Sequence, residues 1–179
     1  TSIAISPQDP NYVYLMGASN NGSFGGLFRT TDGGATWTRL MSYSSVTDIF
    51  GSNRQGWYDN VVSVDPTNKD KIYMGGVDLA TWDVVNGYRE TAGTYDAPWN
   101  TNYVHADKHM IAWDMSTTPP TIIVGSDGGL HRSYDGRIWT PISRGFVSLQ
   151  LYNVAANELG HMTGGSQDNG TYLLNFSGN

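Results

Sequence analysis

The stretch "YVHADKHMIAWD", residues 103–114, carries three titratable side chains at alternate positions: His105, Asp107 and His109. On an extended chain alternate residues share a face, so the three leave one side of a strand that Ile111 and Trp113 then continue. Two imidazoles and a carboxylate are ligands that zinc accepts. The spacing argues against one ion on this strand, because positions i and i+4 lie about 13 Å apart on extended backbone. Neighbouring alternates would need a ligand from another element. A polar network, in which a carboxylate raises the pKa of an imidazole, fits better. We therefore expect no metal and no cofactor. Further aspartates sit among glycines: Asp78 in "GGVD", Asp127 in "GSDGG", and Asp168 in "GSQDNG", where Gln167 and Asn169 flank it. Such residues cap tight turns by accepting local amides, and the same polar groups can bind sugar hydroxyls.

The elements that must position these groups read as short strands. The chain has 179 residues, 39% hydrophobic and only 15% charged, with 22 glycines and 12% aromatics. That mix suits strands joined by tight turns. The net charge of −6 and the lack of a basic run speak against nucleic acid and anionic membrane as partners. No stretch approaches the roughly 20 apolar residues of a membrane span, so no membrane insertion is expected. With no cysteine, disulfides, thiolate metal sites and a cysteine nucleophile are all excluded. The chain opens inside a strand-like pattern and stops just after another, which reads as a piece of a longer polypeptide.

Four segments repeat one pattern of apolar strand, polar turn, apolar strand, Gly/Asp loop and third strand. They begin at "SIAIS", "NVVSVD", "HMIAWD" and "LYNVAA", and two of them continue into a D-G turn and a tryptophan. A period of roughly 45 residues matches the four strands of a propeller blade. The reading is all-β, with antiparallel blades at about 1–42, 57–90, 103–145 and an incomplete 149–179. Residues 43–57 read as a long loop with one helical turn, and 85–102 as a second long polar loop.

"TTDGGATW", residues 30–37, fits the Asp-box (BNR) repeat Ser/Thr-x-Asp-x-Gly-x-Thr-Trp, and "SYDGRIW", residues 133–139, resembles it with one residue missing. Together with "GWYDNVVSVDPTN", "HADKHMIAWD", "GSDGGLHRS" and "GGSQDNGTY", these stretches resemble secreted bacterial BNR-repeat proteins related to xyloglucanase-type glycosidases and sortilin-type propellers. The resemblance covers essentially the whole chain. It implies an arc of a larger propeller of about seven blades, and a secreted or cell-surface location. In such a blade Thr30, Asp32, Gly34 and Trp37, and equally Ser133, Asp135 and Trp139, are structural parts of a hairpin. Their aspartates bond local turn amides and are not catalytic.

The same resemblance sorts the loops by face. The Asp-box hairpins share one face with the turns at Asp9, Asp65 and Asp114. The Gly/Asp loops and the starts of the inner strands share the other, where His105, Asp107, Asp127 and Asp168 would converge on one rim. Glycoside hydrolysis needs a carboxylate pair. Asp127 and Asp168 occupy the loop type in which the resembled enzymes carry a catalytic Asp in an Asp-x-Gly-Gly setting, although "SDGGL" lacks the intervening residue. His105, Asp107 and His109 would orient them. Trp57, Tyr58 and Trp99 offer faces on which sugar rings stack, or pack the loops onto the blades. A sialidase is a poor fit, since the ten Lys and Arg are scattered and "GRIWTP" only mimics the required arginine start. The expected partner is a polysaccharide or glycoprotein glycan. The alternative is a non-catalytic module that binds a protein or glycan at a cell surface or in an assembly.

Overall fold

The computed structural model describes residues 1–43, 48–145 and 149–174. They form four antiparallel sheets, each wound in sequence order. The first sheet contains β1 (Ser2–Ile5), β2 (Val13–Ala18), β3 (Phe24–Thr30) and β4 (Thr38–Met41). The second contains β5 (Val61–Asp65), β6 (Asn68–Gly75), β7 (Leu79–Asp83) and β8 (Gly87–Ala92). The third contains β9 (Lys108–Asp114), β10 (Thr121–Ser126), β11 (Gly129–Ser133) and β12 (Thr140–Pro141). The last has three described strands, β13 (Leu151–Ala156), β14 (Met162–Ser166) and β15 (Thr171–Leu174). No α-helix occurs among the described residues.

The first strands of the first three sheets lie side by side. Val62 N on β5 donates to Ser2 Oγ on β1 at 3.1 Å, and Trp113 Nε1 on β9 donates to Ser63 Oγ on β5 at 2.9 Å. Sheets that wind outward from adjacent inner strands are the blades of a β-propeller, and these four form an arc of one. Alternation along each strand sends apolar side chains into the gaps between blades. Tyr14, Met16 and Leu27 of the first blade meet Val64, Ile72 and Met74 of the second around Ile49 and Phe50 from the connecting segment. Leu79 and Ala92 of the second meet Ile111, Ile122, Val124 and Trp139 of the third. Neither cluster includes a residue of the fourth sheet. Burying side chains of this size stabilises by about 1.5–3 kcal/mol each.

The structure departs from the sequence reading in three places. The stretch 85–102, read as a loop, contributes β8, which pairs with β7 from Leu79↔Ala92 to Asp83↔Gly87. Its Gly, Arg and Glu hid an edge strand in which Arg89 and Glu90 face solvent while Ala92 is buried. In the other long segment, residues 44–47 lie outside the described residues, while Ile49 and Phe50 are core. The alternation of His105, Asp107 and His109 also fails. Asp107 takes a left-handed φ of 59°, so the strand starts only at Lys108. The ladder then skips His109 between Lys108↔Ser126 and Met110↔Gly125, a bulge that turns its side chain outward.

Candidate acidic mouth

At one end of the sheets the turn aspartates bond within their own turns. Thr30 Oγ1 donates to Asp32 Oδ1 at 2.6 Å, and Asp32 accepts Thr36 N and Thr36 Oγ1. Asp135 accepts Arg137 N at 2.8 Å and Ile138 N at 2.9 Å. Hydrogen bonds from Thr30 and Thr36 hold the Asp32 carboxyl down at about 2, and bonds led by Ile138 N lower that of Asp135. Asp9, Asp65 and Asp114 each accept the amide two residues on. Gly33 N donates to Asn11 O at 3.1 Å, which joins this hairpin to the neighbouring turn at the same end. Gly33 and Gly34 supply the positive φ that the hairpin requires. Trp37 stays exposed, whereas Trp139 is buried between blades with Nε1 on Thr91 O at 3.4 Å.

The other end is built differently. The lead-in to β9, the β10–β11 loop and the β14–β15 loop bring one carboxylate oxygen each from Asp107, Asp127 and Asp168 within 4.8 Å of one another. Asp127 N donates to Asp107 O at 3.3 Å, which ties the first two elements together. Asp168, like Asp107, holds a left-handed φ, here 55°. His109, swung out by the bulge, places Nε2 2.8 Å from Asp127 Oδ1 and Nδ1 3.8 Å from Asp59 Oδ1. Asp59, on the lead-in to β5, is 0% exposed, and its Oδ1 has no hydrogen-bond partner. Gln55 Nε2 bridges Asp59 Oδ2 at 3.1 Å and Asp107 Oδ1 at 3.3 Å.

Burial pushes the Asp59 carboxyl up to about 8, with the charge of Asp107 adding to the effect. Asp127 is also raised, by burial first; His109 opposes the rise and Asp168 and Asp107 add to it. Beneath them Lys108 is fully buried, its ammonium donating to Val77 O and to Thr94 Oγ1 at 2.7 Å. Burial lowers its pKa to about 8, against the pull of Asp78, Asp107 and Asp59.

The remaining predicted residues divide. His105 is half-buried, with Nδ1 near Ala106 O, and its ring lies over Gly128, where a Cβ would fall 2.4 Å from His105 Cβ. It packs the rim rather than joining the carboxylates. Asn169 acts as a latch, its Nδ2 donating to Asp127 O at 3.1 Å and Gln167 O at 3.0 Å, while Gln167 N bonds Gln150 O. Tyr58 meets the His109 ring edge-on at 4.8 Å, and Trp57 stacks obliquely on Tyr58 at 5.6 Å while remaining 78% exposed. Trp99 is exposed and joins none of these ring contacts. Asp78 faces a separate cleft of about 450 Å³ with Tyr95, Arg54 and Asp48. Sequence reasoning missed Asp59, Gln55 and Lys108. The only available signal was the register that sets "YDN" against "DKH".

His105, Asp107 and His109 do not converge: His105 is turned away and His109 is engaged with Asp127 and Asp59. What converges instead is an oxygen-only set on three elements, with a partly exposed imidazole and an aromatic pair at its edge. Such a mouth can hold a cation or a shared proton, and can present acceptors to hydroxyl groups.

No family model matches the chain. A xyloglucanase from Hypocrea jecorina (strain QM6a) is 29% identical over 127 residues, covering 63% of this chain and 15% of the relative. Among solved structures, the Niastella koreensis GH74 enzyme superposes with a TM-score of 0.58 at 21% identity, over 97% of this chain and 28% of that one. The GH74 xyloglucanase from Xanthomonas campestris gives 0.56 at 21% identity, over 93% and 26% respectively. The likeness to these structures is one of fold. This chain spans only a minor part of each relative's length.

Proposed function

We propose that this chain forms part of an extracellular carbohydrate-binding or carbohydrate-active propeller, and that the acidic mouth is where the glycan sits. The observation that carries this reading is the exposed Trp57–Tyr58 pair set against His109, itself on Asp127. An apolar ring face beside converging carboxylates suits a sugar, whose C–H face stacks while its hydroxyls donate. The identity with a xyloglucanase supports a plant-type β-glucan as the first ligand class to test. A polysaccharide ligand in turn favours a secreted or cell-surface setting, and no described helix is long and apolar enough to cross a membrane.

In the hydrolytic form of this reading Asp127 and Asp168 are the acid/base candidates. Their oxygens lie within 4.8 Å, below the roughly 6.5–9.5 Å that leaves room for an attacking water. The spacing is nearer the roughly 5–5.5 Å of a retaining pair, in which one carboxylate attacks while the other acts first as acid and then as base. The repeat elements at residues 30–37 and 133–139 read as Asp-box hairpins with a purely structural role.

Calorimetric titration of the chain with a β-glucan panel that includes xyloglucan oligosaccharides tests the binding. Trp57→Ala is expected to weaken the best ligand by about tenfold, the loss of one stacking face. Reducing-end release by the wild type, lost in Asp127→Asn, would establish hydrolysis. Absence of binding and cleavage across the panel would overturn the reading in favour of a protein-interaction module. For that alternative, the exposed Tyr152, Leu159 and Leu173 of the fourth blade are the observation.

A further inference from the structure

We propose that the cleft around Asp78 is a second saccharide site beside the mouth, and that it takes an uncharged sugar ring. Its occupant is a further part of the glycan assigned to the mouth, so the site depends on that reading. The cleft measures about 450 Å³ and is lined by Asp78 of the β6–β7 loop, by Asp48 and Arg54, and by Tyr43 and Tyr95. A neighbouring cleft of about 360 Å³ shares Tyr43, Arg54 and Ser23 with it. Both volumes fall within the roughly 300–1,000 Å³ of small-ligand pockets.

Two charged groups in the cleft lack protein partners. Asp78 is partly exposed, yet its Oδ1 is sheltered from solvent and accepts no hydrogen bond. The terminal torsion of an aspartate is broad, so a small turn presents that oxygen to a ligand. The guanidinium of Arg54 is exposed and forms no hydrogen bond or ion pair among the described residues, where only its backbone N donates, to Gly51 O. Asp48 differs, since its Oδ1 accepts Phe24 N at 3.0 Å and Phe50 N at 3.1 Å. Asp78 and Arg54 thus offer an acceptor and a donor fork of opposite sign. A charged ligand meets a like charge there. Neutral hydroxyls can donate to the one and accept from the other.

Tyr95 supplies the ring face. It is 81% exposed, yet it stands on a loop that closes on itself. Gly93 N donates to Asn102 O at 2.9 Å, Asn100 N to Ala97 O at 2.8 Å, and Asn102 Nδ2 to Asp96 Oδ2 at 2.6 Å. Thr94 Oγ1 on Val77 O and Trp139 N on Thr101 O fix the loop to its surroundings. Gly93 leaves no room for a side chain against Asp96. The ordering entropy of this ring's support is therefore lost before a ligand arrives, which favours binding. Tyr43, also exposed, adds a second ring.

One short segment joins the two sites. Gln55 bonds Asp59 and Asp107 in the mouth, while the preceding Arg54, at a left-handed φ of 58°, lines the cleft. A chain seated on Trp57 and Tyr58 therefore extends toward Tyr95.

Calorimetry with cellobiose and cellohexaose tests this. We expect cellohexaose to bind at least about tenfold tighter, and Tyr95→Ala and Arg54→Ala each to remove about tenfold from cellohexaose while leaving cellobiose unchanged. Both side chains are exposed, so the variants should unfold at the wild-type temperature. Trp57→Ala should weaken both ligands. The C6-oxidised, glucuronate form of cellohexaose should bind at least about tenfold more weakly than the neutral one. If both lengths bind alike, or if cellohexaose is indifferent to Tyr95→Ala and Arg54→Ala, there is no second site and the mouth reading stands. If those variants weaken cellohexaose and Trp57→Ala does not, the cleft stands and the mouth reading fails. Equal affinity for the oxidised form overturns the selectivity for an uncharged ring, and no binding of any of the three ligands overturns the site.

Discussion

Aspartate does opposite work at the two ends of these blades. Asp32 and Asp135 lie in glycine-containing turns, as Asp127 does. At the hairpin end each carboxylate accepts amides and hydroxyls from its own turn, and its pKa falls. At the mouth Asp59 and Asp127 face other carboxylates in a desolvated setting, and their pKa values rise. The difference is one of partners. Local donors favour the charged form, whereas buried like charges oppose it. Charge satisfied within its own turn is structural. Charge gathered from three elements, with His109 and Gln55 shared among the carboxylates, is available to a ligand.

The comparison breaks most severely at Lys108, the buried cation under the mouth. Lys108→Ala should cost about 3–5 kcal/mol in urea unfolding, because Val77 O and Thr94 Oγ1 lose their donor and the carboxylates lose a compensating charge. An effect under about 1 kcal/mol would mean that the mouth does not depend on it.

Next comes His131 on β11, buried and held neutral down to about 4 by desolvation, with His105 and Lys108 adding to the effect. Its folded pKa lies below the ordinary 6.5, so between 6.5 and about 4 the unfolded chain binds the extra proton. Stability should therefore rise with pH across that window, by up to about 3 kcal/mol, and be lost as pH falls. Urea midpoints between pH 7 and 4 should show this slope flattened in His131→Gln.

A smaller effect is expected at the hairpin end. Asp135→Ala removes the acceptor of two turn amides and should cost about 1 kcal/mol by thermal unfolding. At the mouth the sign inverts. With chelator present, Asp127→Asn should change stability by less than about 0.5 kcal/mol, or increase it, since a partly exposed repulsive charge is removed.

Much of this contrast was legible in the residues. The alternation in β2 and β10, the turn chemistry of "TTDGGATW" and the equivalent Gly/Asp loops are local patterns with local causes. It was the resemblance to Asp-box propellers that implied Asp127, Asp168 and Asp107 on one rim. What stayed hidden depends on contacts distant in sequence. Asp59 is buried because Asp107 and Gln55 lie against it, and a lysine buried like Lys108 contradicts every composition-based expectation. The bulge at His109 and the left-handed Asp107 are single-residue breaks in an otherwise regular period, so alternation aimed His105 at a site that it does not join. Strand β8 escaped because a polar edge strand carries no apolar periodicity.

The most direct test is carboxyl-resolved NMR titration of the aspartates in chelator-treated protein. The account predicts that Asp32 and Asp135 titrate below the ordinary aspartate value while Asp59 and Asp127 titrate above it. Mouth aspartates that titrate at or below the hairpin pair would contradict it, because the mouth charges would then be as locally satisfied as those of the turns.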